Sequence, residues 1–351
     1  WGLFWQAANT ITTSPNKKKK QLSFTDAKKK VNAEVRCLEF IHTPVHTKGQ
    51  YNDCLLLSSG DRKGNVRFHH LVDEDNIQQI ALVKAHNKEI RSLHYSGQKS
   101  HLLASGGRDT FIHLYDMSNP THPDVISLPP QYNHTGAITA VRFIEGDHHK
   151  NKACRLVSAA SDKNIIFRNV SHTQDITPIA KHVIKRTVYD LAVHPTNKFI
   201  ISCGQDKFLR IWNVANGKQN RSYQLQEDEA ISNNNKNLTD SGLGLSHSRP
   251  LSSANNTGEA IKVSLDPSGL YFIVSTSDKW LRLFDWFSGH CVAKVYGHSA
   301  AITSIKFTAD CKRLISTSAD GCIFIWKLSP EFTNAMQTRL NGFNNNEANE
   351  T

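Results

Sequence analysis

Nowhere in the 351 residues does an apolar run approach the roughly 18 that a membrane-spanning helix needs, so a helical span is excluded. The opening ten residues have neither the basic start nor the apolar centre of a secretory signal, and no Met begins them, so the chain reads as a piece of a longer one. Seven cysteines (Cys37, Cys54, Cys154, Cys203, Cys291, Cys311, Cys322) are odd in number and include no Cys-x-x-Cys pair; they are expected as free thiols of a reducing, cytoplasmic compartment. No G-x-x-x-x-G-K-S/T or G-x-G-x-x-G loop occurs, which leaves no nucleotide site. The pairs His69-His70 and His148-His149 lack the i, i+4 spacing of H-E-x-x-H, and neighbouring strand residues point to opposite faces, so neither a metal nor another cofactor is expected.

What is present is a moderately apolar chain, 38% hydrophobic and 21% charged, of a length that a closed β architecture can fill as one unit. Its net charge of +11 is partly local: Lys17 to Lys20 and Lys28 to Lys30 fall in residues 1–33, expected as a flexible basic arm whose opening residues could also add a closing strand. Positive charge favours acidic partners, and RNA, acidic protein tails and phosphorylated segments all qualify. The plain alternative is a solvated tail.

Self-similarity decides the fold. Y-G-H-S-A-A-I-T-S-I-K-F followed by L-I-S-T-S-A-D-G-C-I-F-I-W near the C-terminus recurs upstream, as in K-A-H-N-K-E-I-R-S-L-H-Y with L-L-A-S-G-G-R-D-T-F-I-H-L-Y. Six such modules are visible from Glu34 onward. Each alternates apolar and polar residues with turn residues between, which predicts short buried strands and an all-β chain. The turn Asp recurs at Asp109, Asp162, Asp206, Asp278 and Asp320, in steps of 53, 44, 72 and 42 residues. A period of about 40–45 residues is that of WD-repeat β-propellers. The expected architecture is therefore a propeller over 34–340, six blades of a ring that would reach seven with further sequence, followed by a disordered polar tail at 341–351. The 72-residue step places a Ser/Asn-rich insertion at 226–257, expected to be disordered.

Each module also carries polar residues at fixed offsets: a His before the first strand, a Ser four residues before the turn Asp and an aromatic six after it. Together these form a hydrogen-bonded tetrad that satisfies groups which burial would otherwise penalise. Blade six has His298, Ser316, Asp320 and Trp326, and blade two has His86, Ser105, Asp109 and Tyr115. Blade three has His134, Ser158 and Asp162 with Arg168 in the aromatic place, while blade four has Ser202, Asp206 and Trp212 with Ile184 where the His belongs. Blade five keeps only Asp278 and Phe284; blade one has Ser59 and His69, with Lys63 in the Asp place and Asp61 two residues early. His86, Ser105 and Asp109 have the residue types of a hydrolase triad. A catalytic group is needed once and a strut in every blade, so the repetition predicts a non-enzymatic chain.

Several stretches resemble the second WD-repeat array of the family of mitogen-activated protein kinase-binding protein 1 and the microcephaly-associated spindle-pole WD-repeat protein. They are K-A-H-N-K-E-I-R-S-L-H-Y-S (84–96), H-V-I-K-R-T-V-Y-D (182–190), I-K-V-S-L-D-P-S-G-L-Y (261–271), G-H-S-A-A-I-T-S-I-K-F-T-A-D-C-K-R-L-I-S (297–316) and L-S-P-E-F-T-N-A-M (328–336). The resemblance implies a tandem of two propellers that scaffolds the c-Jun N-terminal kinase pathway and associates with centrosomes, spindle poles or microtubules. It also implies kinase-docking segments outside the propellers. The insertion after Gln224 and the lysine-rich start depart from the family, and a nucleic-acid-binding platform is the alternative function.

The turn Asp residues belong on one face of the ring. Lys163, Lys207 and Lys279 follow the Asp, Arg108 precedes it, and Arg62 and Lys63 share the turn of blade one, so a basic arc is expected on the top face. Phe111, Phe208 and Trp280 stand beside it as anchors of the kind that dominate interfaces. The competing account makes the lysines ordinary turn residues and the aromatics inter-blade packing.

Overall fold

A computed structural model describes residues 6–10, 34–47, 50–73, 76–97, 100–129, 133–145, 154–171, 176–225 and 258–348. The insertion expected at 226–257 and the lysines of the N-terminal arm lie outside them. The described chain folds into six four-stranded antiparallel sheets, arranged as blades of a β-propeller ring, and one helix. Blades one to five occupy 35–84, 90–127, 138–183, 188–224 and 260–296. Blade six takes three strands from 302–327 and its outermost strand, Gln6–Thr10, from the other end of the sequence, with Gln6 opposite Lys327 and Thr10 opposite Phe324.

Burial follows the strand's place in the blade. Leu102–Gly107, a second strand covered on both faces, is buried throughout and built of small and apolar residues, whereas the outer strand Gln219–Gln224 is polar and exposed. The innermost strand of every blade carries a bulge at the same point, between Val35/Cys37, Ile90/Ser92, Ile138/Ala140, Val188/Asp190, Ala260/Lys262 and Ile302/Ser304. One extra residue there turns a period of two into a step of three followed by a step of two. Ile302, Ile305 and Phe307 consequently share a face, although strict alternation would have split them.

Neighbouring blades are joined by apolar seams, and six blades have five. Phe68 meets Leu93 and Tyr115 between blades one and two, Leu114 meets Val141 next, then Phe167 meets Trp212, Ile211 meets Phe272 and Leu283 meets Trp326. Among the described residues no sixth core cluster joins blade six to blade one. Aligned through the pairing of the first two strands, Val35, Leu38 and Phe40 are the counterparts of Ile90, Leu93 and Tyr95 and of Ile138, Val141 and Phe143. Those six are buried against a preceding blade, while Val35, Leu38 and Phe40 are 51%, 57% and 57% exposed. In the 1–351 chain, Leu38→Ser with Phe40→Ser is therefore expected to leave the urea midpoint almost unchanged. The matching change at Leu93 and Tyr95 should cost several kcal/mol, since each large apolar side chain contributes roughly 1.5–3 kcal/mol when buried. Equal losses would show that the flank of blade one is covered.

The helix Pro330–Ala348 runs through 341–348, where a disordered polar tail was expected over 341–351; residues 349–351 lie outside the described residues. Ser329 stands at the cap position, its carbonyl accepting from Thr333 N at 3.1 Å, Pro330 is preset for the first turn, and the Asn-rich stretch that follows contains no proline. Phe332, Met336 and Leu340 pack into the seam of blades five and six, and the Gln337 side chain donates to the Asp310 carbonyl at 3.2 Å.

Candidate functional site

The tetrads are assembled in blades two, three and six. His298 Nδ1 lies 3.0 Å from Asp320 Oδ2 and its Nε2 lies 2.7 Å from Ser316 Oγ, which also accepts from Trp326 Nε1 at 2.9 Å. The carboxylate can only accept and the indole only donate, so Nδ1 carries the proton and the serine hydroxyl donates to Nε2. Blade two repeats the chain through His86, Ser105 and Asp109, with Tyr115 Oη 3.0 Å from Ser105 Oγ. In blade three His134 meets Asp162 and Ser158, and the Arg168 guanidinium donates to Ser158 at 2.6 Å in place of the aromatic. In each of these blades the residue after the His gives its backbone N–H to the same Asp, at 2.9–3.0 Å, pinning the entering loop twice.

Where the His is missing, an Arg four residues past the turn-Asp place takes over. Arg210 reaches Asp206 at 2.5 Å, Arg282 reaches Asp278 at 2.7 Å, and Arg67 reaches the early Asp61 at 2.7 Å. Blades two and six instead have His113 and Phe324 in that place, packed on the tetrad His rings at 4.6 and 4.3 Å. Asp278 is thus not the bare remnant that the sequence suggested, since Thr276 and Arg282 both hold it. Blade five also has Val274 in the Ser place, and its aromatic is Phe284, which has no polar group that would need that Ser. In blade one His69 does not meet Ser59; its Nδ1 lies 3.4 Å from the Leu57 carbonyl. The signal for the Arg was visible in K-G-N-V-R, D-K-F-L-R and D-K-W-L-R, but a search for the standard four positions passes over it.

Burial holds the imidazoles of His94, His113, His134 and His194 below their usual range, that of His113 at about 4, where the neighbouring His86 adds to the effect. A depressed imidazole means that the folded state resists protonation. The stability these groups contribute is complete above pH 6.5 and is lost as pH falls from there towards the folded values. The thermal midpoint is expected to decline between pH 6.5 and 4, and His113→Phe, which copies Phe324, should make that decline shallower. A flat midpoint down to pH 4 would contradict this assignment.

On the top face all six turns have one geometry. The residue after the Asp place is Gly64, Thr110, Lys163, Lys207, Lys279 or Gly321, with φ of 86°, 77°, 66°, 62°, 69° and 78°, and in each its N–H closes the turn on the carbonyl three residues back. Lysine adopts this left-handed conformation at a cost of about 1–2 kcal/mol that glycine does not bear. The expected arc is only partly available. Arg62 is 3.4 Å from Glu34, and Arg108 is 3.9 Å from Glu89, which also holds Arg91 and Arg36. Lys63, Lys163, Lys207 and Lys279 have no ion pair among the described residues. Of the aromatics, Phe111 is 41% exposed, Phe208 lies under the Arg210 guanidinium at 5.1 Å, and Trp280 packs on Tyr296 at 5.3 Å with the Lys294 ammonium 5.8 Å from its ring.

The family described as "WD domain, G-beta repeat" matches residues 77–116, 176–213 and 289–327. WD repeat-containing protein 62 of Sus scrofa is 36% identical over 293 residues, covering 81% of this chain and 16% of its own length. Mitogen-activated protein kinase-binding protein 1 of Homo sapiens is 37% identical over 290 residues, with shares of 81% and 17%. A p21-activated protein kinase-interacting protein 1-like protein of Danio rerio is 27% identical over 267 residues, with shares of 70% and 66%. A chain in a crystal structure of the mitotic checkpoint complex superposes with a TM-score of 0.57 at 15% identity, covering 78% of this chain and 71% of that one, a likeness of fold alone. The chain spans about a sixth of the length of the first two relatives. Strand order, repeated turns and sequence together show that it belongs to the WD-repeat propeller family that includes WD repeat-containing protein 62 and mitogen-activated protein kinase-binding protein 1.

Proposed function

We propose that this chain is a non-catalytic scaffold whose top face docks an acidic protein partner. The observation that carries the reading is the set Lys163, Lys207 and Lys279, presented by equivalent turns of consecutive blades without ion pairs among the described residues, while Arg62 and Arg108 are already engaged. The tetrads that imitate catalytic triads recur as struts, which supports binding over turnover. The names of the relatives point to kinase binding, and we extend this to a role in c-Jun N-terminal kinase signalling and in cytoplasmic assemblies at centrosomes, spindle poles or microtubules, beside a further propeller of the same protein.

Lys163→Glu with Lys207→Glu should slow association with an acidic tubulin-tail peptide about tenfold at low salt and flatten its salt dependence while the circular dichroism is unchanged. Wild-type association by the folded variant would remove the top face as the docking site. Trp280, Tyr296 and Lys294 form one cation-and-aromatic patch, with Lys279 next to Trp280 in sequence, the arrangement that a single-stranded nucleic acid uses for stacking. A mobility shift with single-stranded RNA at concentrations below those needed for microtubule co-sedimentation, in the same salt, would favour that second reading.

A further inference from the structure

In blade four, as in blades one and five, the tetrad lacks its His, and here a cleft lies beside the altered network. Ile184 stands in the His place, Ser202 Oγ is occupied by Trp212 Nε1 at 2.9 Å, and Arg210 turns to Asp206. Beside these groups the seam between blades three and four opens into a cleft of about 310 Å³, lined by Ile184 and Trp212 and by the cationic side chains of Lys185, Arg210 and Lys218. No carboxylate lines it. His182, on the outer strand of blade three, also lines the cleft with its ring 5.0 Å from Trp212, and its Nε2 is buried without a hydrogen-bond partner. At the lip Val183 is 77% exposed, more than any other large apolar side chain described.

The charge around the cleft is predominantly positive: Asp206 holds Arg210 and Asp162 holds His134, which leaves the surrounding lysines to set its sign. Lys181, Lys185, Arg186 and Lys218 are exposed and, with Lys163 and Lys207 on the adjoining turns, make six cations on one seam with no ion pair among the described residues. The seam of blades one and two differs, because Glu34 and Glu89 there hold Arg36, Arg62, Arg91 and Arg108. Several cationic donors around one small cleft suit a compact dianion better than a carboxylate. A phosphomonoester carries a charge of about −1.5 to −2 at neutral pH and three acceptor oxygens, enough to meet several donors at once.

We propose that the cleft between blades three and four binds a phosphorylated side chain of an extended partner segment, with Lys185 and Lys218 pairing the phosphate above Arg210 and Val183 holding an adjacent apolar residue. His182 would supply a further donor to a phosphate oxygen. This deepens the acidic-partner reading and rests on it, but it places the specificity on the flank of the ring rather than on its top.

The test uses the whole chain and three degenerate nonapeptide libraries, centred on phosphothreonine, aspartate or unmodified threonine, with binding read by fluorescence anisotropy. The phosphorylated library should bind at least tenfold more tightly than the aspartate library. Lys185→Glu with Lys218→Glu should abolish the difference. Lys163→Glu with Lys207→Glu should weaken both anionic libraries alike. Equal affinity for phosphothreonine and aspartate, or full phosphopeptide binding by the folded Lys185/Lys218 variant, would overturn the proposal while leaving top-face docking intact. Competition by single-stranded RNA at the same phosphate concentration would also overturn it, by showing a site for backbone phosphate. Absence of binding by either anionic library would remove both readings together.

Discussion

Arg168→Ala is expected to destabilise the protein by about 3–5 kcal/mol, the range for emptying a large, fully enclosed position. Arg168 is the largest of the fully buried side chains, and it fills the place held by Tyr115, Trp212 and Trp326 in other blades. Burial lowers its guanidinium pKa to about 10 against the opposing influence of the Asp162 charge, so the charge itself is poorly solvated there. Packing and the donor to Ser158 should therefore matter more than the charge. Arg168→Tyr tests this, because a tyrosine hydroxyl can reach the serine as Tyr115 reaches Ser105 at 3.0 Å. That variant should remain within about 1 kcal/mol of the parent in urea titrations. If tyrosine costs as much as alanine, the positive charge in the field of Asp162 is what the blade requires.

Gly64→Lys should cost more than about 3 kcal/mol, while Gly321→Lys should cost about 1 kcal/mol, although both place lysine in the same left-handed turn. A Cβ on Gly321 would meet nothing within 4 Å, whereas a Cβ on Gly64 would lie 2.1 Å from the His86 carbonyl oxygen. Backbone cannot move aside as a side-chain end can. The His86 N–H, moreover, donates to the Gly64 carbonyl at 3.2 Å, so displacing this segment should also loosen the contacts of His86 with Ser105 and Asp109 in the next blade. Urea titration gives the two costs, and hydrogen exchange at Asn87, whose N–H donates to Asp109, reports whether the damage crosses the seam. Equal costs at the two glycines would mean that conformation alone decides, and that the His86 loop yields.

Much of the molecule was readable from local pattern because each blade repeats the same local rule. The alternation of apolar residues marked the strands, the spacing of Asp109, Asp162, Asp206, Asp278 and Asp320 set the blades, and His298, Ser316, Asp320 and Trp326 could be named as one network before any distance was known. What decided the remainder was contact between elements distant in sequence. The exposure of Leu38 and Phe40 follows from the lack, among the described residues, of a core seam on that flank of blade one, and an apolar residue does not encode whether a neighbour is present. Arg108 was legible as a turn cation, but its partner Glu89 comes from the loop entering the blade, so only the fold shows which members of the arc remain available. Arg210 and Arg282 carry no sign that they replace a histidine until the strand brings them back to the turn. The cleft at Ile184 has the same origin: the sequence records that the His is missing, and only the packing of blade three against blade four shows that a cationic cleft lies beside that place.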